Sequence, residues 1–233
     1  MTGFLRKLSQ KLRRRRIQKE PKTTVNDILM QRAVESSADF IEPLLSSTLL
    51  INRTDKMRDL AVRRVSAEGL LLEFGVYRGA SINQFAEVLA QSGDRREIYG
   101  FDAFLGLSED WFGKGLPKES GFSRGGRAPR VRPNVRLVIG WVEETLKPFL
   151  DNHPGPIALL HVDTDTYTPC KLILSLCRER FVGGTIILFD EHHGYPNWKN
   201  GEFKALNEVL HPDEYKYLAF GTQQAVIRIE PGL

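Results

Sequence analysis

Two rhythms of apolar and polar positions run along this chain, and the change between them falls near Gly69. Before it, apolar residues recur at helical spacing. Phe4, Leu5, Leu8 and Leu12 share one face of a short basic helix, which Pro21 ends. Thr23 and Thr24 are N-cap residues for a helix beginning near Val25. Residues 25–50 read as mostly helical with an interruption at Pro43, and residues 54–67 as a further helix with Met57, Leu60, Ala61 and Val65 on its apolar side. After Gly69 the pattern becomes short apolar runs bounded by turn residues: LLLEF, EIYGFD, VRLVIG, PIALLHVD and GGTIILFD, then EYKYLAFG and QQAVIRI joined by a tight turn. Helical stretches over about 78–91, 142–151 and 167–181 separate these runs except the second from the third, and one over about 203–210 precedes the last two. Strands alternating with helices predict an α/β fold with a mainly parallel sheet, and the terminal hairpin makes at least one strand antiparallel. The organisation expected is a basic amphipathic tail over 1–22, a helical cap over 23–68 and an α/β domain over 69–233.

Residues 103–133 fit neither rhythm. They hold six glycines and three prolines, with Arg124, Arg127, Arg130 and Arg132. A connection this long is usually a lid or a binding loop, so a flexible loop that closes over a site is expected here. Its arginines suit an acceptor carrying carboxylate or phosphate.

Composition narrows the classes. The 233 residues are 41% hydrophobic and 27% charged, which excludes a collagen or a wholly disordered chain. No apolar stretch is long enough for a spanning helix. The two cysteines, Cys170 and Cys177, lie seven apart on one predicted helix, so a disulfide scaffold is not expected. Nine Lys/Arg against one acid give residues 1–22 a charge of +8, which leaves −4 on residues 23–233 from the net +4. A nucleic-acid-binding domain carries its positive excess on the folded part, so no nucleic-acid partner is expected. The tail lacks the apolar core of a secretory signal. Its open readings are a solvated tail, a helix on an anionic membrane surface over residues 1–20, and a protein contact such as a homo-oligomer. The location expected is cytoplasmic, with peripheral membrane contact as the tail's alternative.

The chemistry gathers at strand ends. In an open parallel sheet, ligands bind outside the carboxyl ends of the strands. Strand one ends at Glu73-Phe74-Gly75, strand two at Asp102, strand four at Asp163 and strand five at Asp190-Glu191. Gly75 and Gly79 flank a turn that lets backbone approach a ligand, although the dinucleotide fingerprint is absent. A carboxylate at the end of strand two can accept both hydroxyls of a ribose. Asp163, Asp190 and Glu191 are three hard oxygen donors suited to Mg²⁺ or another divalent cation, while Asp163 or Asp165 could instead cap the following helix. His192 and His193 keep zinc open as the metal, and His161 reads as a core histidine.

The motifs LLEFGVYRGAS, YGFDAFLGL, NVRLVIGWVEETL, LLHVDTDTYTP and the Gly183-Gly184 turn into FDE occur in this order. Together they resemble the class I S-adenosylmethionine-dependent methyltransferases, specifically the macrocin O-methyltransferase type. The resemblance implies a Rossmann-like sheet of seven strands with the last antiparallel and helices on both faces. It implies S-adenosylmethionine as cofactor, with Glu73, Gly75 and Gly79 at its methionine end, Asp102 on the ribose and Trp141 near the adenine. It places a divalent metal, Mg²⁺ first, on Asp163, Asp190 and Glu191, where the family usually has two aspartates at the last two positions. The expected reaction is O-methylation of a small-molecule acceptor such as a natural-product sugar, a polyketide or a phenol, with Asp163 in the catalytic centre, Asp165 as first candidate base and His192 as second. The catechol-type lysine is replaced by Thr166. The alternatives are a nucleotide- or NAD-binding α/β enzyme and a methyltransferase fold without catalysis.

Overall fold

A computed structural model describes residues 23–118 and 121–232. The basic tail, with the helix and membrane readings that fall on it, lies outside the described residues.

Helix α1 (Val25–Ile41) opens where its cap residues predict: Thr24 Oγ1 accepts from Asp27 N, and Asp27 Oδ2 accepts from Thr24 N at 2.8 Å, a reciprocal capping box. The chain then forms β1 (Leu49–Leu50), α2 (Thr54–Arg63), β2 (Leu70–Phe74), α3 (Ala80–Gln91), β3 (Ile98–Asp102) and β4 (Val135–Ile139). It continues as α4 (Val142–Asn152), β5 (Ile157–Val162), α5 (Tyr167–Cys177), β6 (Phe181–Phe189), α6 (Glu202–Val209), β7 (Tyr215–Phe220) and β8 (Ala225–Ile229). The sheet order is β1-β7-β8-β6-β5-β2-β3-β4. The expected seven strands are all present, and β8 alone runs antiparallel to its neighbours β6 and β7. The eighth strand, β1, is a correction to the helical reading of residues 25–50. Past Pro43 the chain leaves the helix, and Leu49 and Leu50 pair in parallel with Ala219 and Phe220 on the sheet edge.

Alternation along the buried strands sends successive side chains to opposite faces. Leu71, Leu159, Ile186 and Val226 pack under α2 and α3 with Met57, Ile82 and Phe85. Leu72, Leu160, Ile187 and Ile227 pack under α4, α5 and α6 with Phe149, Ile173 and Leu206. Helix α2 therefore shares one apolar cluster with α3. Helix α1 docks separately: Ala33 and Phe40 meet Tyr195, Trp198 and Phe203, and the Ser37 hydroxyl accepts from Gly194 N at 2.9 Å. Among the described residues, no helix is long and apolar enough to cross a membrane.

Candidate active site

The carboxyl ends of β2, β3, β4 and β5 surround a cavity lined by Gly75, Tyr77, Phe101, Asp102, Phe122, Trp141, Asp163 and Asp165. Its floor is a close backbone crossing. Asp163 N donates to Phe74 O at 2.8 Å. Gly75 has φ +93°, and a Cβ there would lie 1.8 Å from Asp163 O, so only glycine fits. Three residues lining the cavity, Tyr77, Phe122 and Asp165, hold positive φ without being glycine. Such strain is kept where the surroundings over-determine it, and it clusters at sites that act on ligands.

Asp102 ends β3 and braces the turn opposite. Its Oδ2 accepts from Val76 N at 2.9 Å and Tyr77 N at 2.6 Å, and its Oδ1 accepts from Phe104 N at 2.6 Å. A carboxylate has about four lone-pair sites. Three are used, so Asp102 has room to accept one ribose hydroxyl directly rather than the expected pair. Gly140, with φ +142°, turns the chain so that Trp141 lines the cavity at the N-cap of α4.

Glu73 and Gly79 are not among the residues lining this cavity. Glu73 points to the same side of the sheet as Leu71, one residue out of phase with Phe74. There its Oε1 accepts from the Ser81 hydroxyl at 2.9 Å, and its Oε2 lies 3.1 Å from His161 Nδ1. Gly79 is the left-handed residue that starts α3 and packs against Pro129. His192 is also turned away: its Nε2 lies 2.9 Å from the Tyr217 hydroxyl, its ring packs on Phe189 and Phe203, and burial lowers its pKa. It is a fully buried core histidine.

The expected metal trio does not gather as one group. Donor atoms of Asp163, Asp165 and Glu191 lie within 4.8 Å of one another, and those of His161, Asp163 and Asp190 form a second set. Asp190 and Glu191 are neighbours in the bend after β6 and contribute one to each set. Neither Asp163 nor Asp165 caps α5, whose N-cap is Thr166 without a side-chain cap bond. Burial raises the pKa of Asp163, Asp165 and Glu191 well above the carboxylate range, and neighbouring acids add to the rise in each. His161 is fully buried. Burial alone would lower its pKa, but Asp190 and Glu73 outweigh burial and raise it to about 9. Burial likewise works against ionised Asp190, and His161 and Arg58 outweigh it and hold its pKa low. Asp190 Oδ1 and Glu191 Oε2 are buried without a hydrogen-bond partner. An all-oxygen set with an orphaned acceptor, Asp163, Asp165 and Glu191, fits a hard divalent cation.

Residues that the sequence patterns passed over complete the site. Lys114 reaches in from the 103–133 loop. Its Nζ donates to Gln223 Oε1 at 2.7 Å and lies 4.6 Å from the Trp111 ring centre, and its charge partly offsets the pKa rise of Asp165 and Glu191. Glu202 is fully buried in the first turn of α6, and its Oε2 accepts from Glu191 N at 3.0 Å. Asp165 also lines a second cavity, with Trp111, Tyr195, Asn197 and Asn200.

Residues 72–192, more than half the chain, match the family described as a methyltransferase domain. The chain resembles the solved structure of CalS11, a calicheamicin methyltransferase, at a TM-score of 0.61 and 23% identity over 89% of this chain and 94% of that one. An apo structure of CalS11, TDP-rhamnose 3'-O-methyltransferase, aligns at a TM-score of 0.56 and 24% identity over 91% and 98%. The O-methyltransferase NovP aligns at a TM-score of 0.58 and 17% identity over 76% and 80%. No curated protein matches by sequence. With the family match over the segment that builds the cavity, and the same fold in these structures, the chain belongs to the class I S-adenosylmethionine-dependent methyltransferases.

Proposed function

We propose that this enzyme transfers the methyl group of S-adenosylmethionine to a hydroxyl oxygen of a small-molecule acceptor, in the manner of the macrocin type, and that Asp165 takes the hydroxyl proton. The observation that carries the reading is the place of Asp165, on the wall of both cavities. A cofactor in the first cavity and an acceptor in the second would meet beside its carboxyl group. The first cavity suits the cofactor: the Phe101 and Trp141 rings offer apolar walls for an adenine, Asp102 an acceptor for a ribose hydroxyl, and Asp163 negative charge for a sulfonium. That the similar structures CalS11 and NovP are O-methyltransferases supports an oxygen acceptor.

Methyl transfer is an in-line displacement, so holding the two partners aligned lowers the barrier by several kcal/mol. A base is most effective when its pKa approaches the working pH. Burial moves Asp165 in that direction, and Lys114 keeps it from rising further. Asp163 and Glu191, the two expected ligands that the fold gathers with Asp165, would hold a divalent cation such as Mg²⁺. When bound, that cation would lower the pKa of an acceptor hydroxyl. Asp190 serves the same centre from behind, as the counter-charge to His161 and Arg58.

The test is methyl transfer from methyl-labelled S-adenosylmethionine to a panel of glycosides, nucleotide sugars, polyketides and phenols, with and without EDTA. Transfer to oxygen that is lost on chelation and restored by Mg²⁺ is expected. A label found on nitrogen, or full turnover in EDTA, contradicts the oxygen or the metal part respectively.

A further inference from the structure

Seven arginines of this fold meet a carboxylate within 4 Å, among them Arg132 of the 103–133 loop, which pairs with Glu87 at 2.8 Å. Arg78, Arg124 and Arg127 have no carboxylate partner among the described residues, and they line one open pocket with Tyr77 and Ser123. Two different elements bring them together. Arg78 belongs to the turn between β2 and α3. Arg124 and Arg127 sit on a loop turn held by Arg124 N and Gly126 N, which donate to Phe104 O at 2.9 and 3.0 Å. Arg124 Nε donates to Arg127 O at 2.8 Å, which fixes one guanidinium.

This pocket adjoins the cavity of the active site. Tyr77 lines both. The Arg78 guanidinium lies 5.0 Å from its ring centre, and its ring meets Phe122 of the cavity wall edge-on at 5.5 Å. Three arginines border one pocket without a carboxylate partner among the described residues, and a bound anion would supply the counter-charge. Guanidinium forks match phosphate oxygens in geometry as well as charge.

We propose that this pocket binds the phosphate or diphosphate group of an elongated methyl acceptor, whose other end brings its hydroxyl to Asp165, which lines the first cavity as well as the second. The inference rests on the reading of the neighbouring cavity as the cofactor site. Charge distinguishes this ligand from the cofactor itself. The methionine end of S-adenosylmethionine carries one carboxylate beside one ammonium, whereas three arginines match the two to three negative charges of a diphosphate.

Calorimetric titration of inorganic pyrophosphate into the full chain, free and saturated with S-adenosylhomocysteine, tests the pocket. Arg127→Gln is the first variant, because the Arg127 side chain makes no hydrogen bond or ion pair among the described residues. Arg124→Gln combined with Arg127→Gln is the second, its fold checked by an unchanged melting temperature. Pyrophosphate is expected to bind the wild type. The double variant is expected to bind it at least about tenfold more weakly, while S-adenosylmethionine affinity stays within about twofold. Absence of pyrophosphate binding, or equal affinity in wild type and double variant, overturns the proposal. Affinity for S-adenosylmethionine that falls in step with the arginines overturns it too, and assigns the pocket to the cofactor carboxylate. Failure of the cofactor to bind the wild type at all overturns the reading of the cavity instead, and pyrophosphate binding to the free protein still reports on the arginines.

Discussion

Gly75 and Asp165 show how much one backbone position can hold. Gly75 lies where the ends of β2 and β5 cross, and any Cβ meets Asp163 O. Gly75→Ala is expected to force the two strands apart, destabilise the fold by roughly 2–4 kcal/mol and abolish cofactor binding; thermal melting and calorimetry check both. Asp165→Asn keeps the shape but removes the base, so kcat is expected to fall about 10²-fold or more with the melting temperature unchanged or raised, since a buried charge is lost. Wild-type turnover in this variant would remove Asp165 from the mechanism. Residues of this kind were legible in the sequence because strand ends are marked by the switch from apolar runs to Gly and Asp. Glu73 and His192 lie away from the cavity lining, Glu73 because a strand gives its neighbours opposite faces and His192 because the bend after β6 packs it on Phe189 and Phe203. Glu73 is next to Phe74, which lines the cavity, and the pleat therefore turns Glu73 to the opposite face, under α3 with Leu71. Asp190 and Glu191 lie in the bend that follows β6 and go to different donor sets, which divided a trio that adjacency in sequence had joined.

At the scale of elements, periodicity located the sheet and its helices to within a few residues. It missed β1, since two residues cannot show a period and Leu49-Leu50 is a strand only because β7 offers it an edge. The 103–133 loop has no period at all, and its role comes from what it touches. Trp111 is buried, Glu109 accepts from Thr168 N and from its hydroxyl at the start of α5, and Lys114 is tied to Gln223 in the β7–β8 turn. Nothing in GKG distinguishes Lys114 from a solvated loop lysine, so contact with the acids was beyond sequence reasoning. Lys114 favours the ionised form of Asp165. Lys114→Met is therefore expected to raise the Asp165 pKa and move the acid limb of the kcat/KM profile to higher pH, while an unmoved limb would show that Lys114 does not act on the base. The loop itself is proposed to close over bound ligands. Limited proteolysis within 103–133 is expected to slow in the presence of S-adenosylmethionine and slow further with an acceptor, and equal cleavage in every state would make it a fixed structural loop.

Across the whole molecule, charge is divided between a basic tail and an acidic body, and the body's buried acids, Glu73, Asp165, Glu191 and Glu202, lie at or beside the strand ends. Removing residues 1–20 is expected to leave cofactor affinity unchanged, since the tail's charge of +8 is set apart in sequence from the strand ends that carry the site; a loss would give the tail a part in the site. The buried centre also sets a pH dependence. His161 titrates at about 9 in the folded protein against roughly 6.5 unfolded. The folded state holds its proton more tightly, so the stability His161 contributes is full below pH 6.5 and is lost as pH rises through 9. The buried acids with raised pKa push the same way. In EDTA, the melting temperature is expected to fall from pH 6.5 to 9, and less steeply in Glu73→Gln, which weakens the hold on the His161 proton. A flat or rising curve would mean that His161 is neutral. The most direct measurement of the central claim, that the cavity at the ends of β2, β3 and β4 is the S-adenosylmethionine site, is calorimetric titration of that cofactor into wild type and Asp102→Ala. The wild type is expected to bind one equivalent. The variant loses a charge-assisted ribose contact and the brace on the Val76–Tyr77 turn, and is expected to bind at least about tenfold more weakly while circular dichroism shows it folded. No binding to the wild type, or the same affinity in a folded Asp102→Ala, would contradict the account.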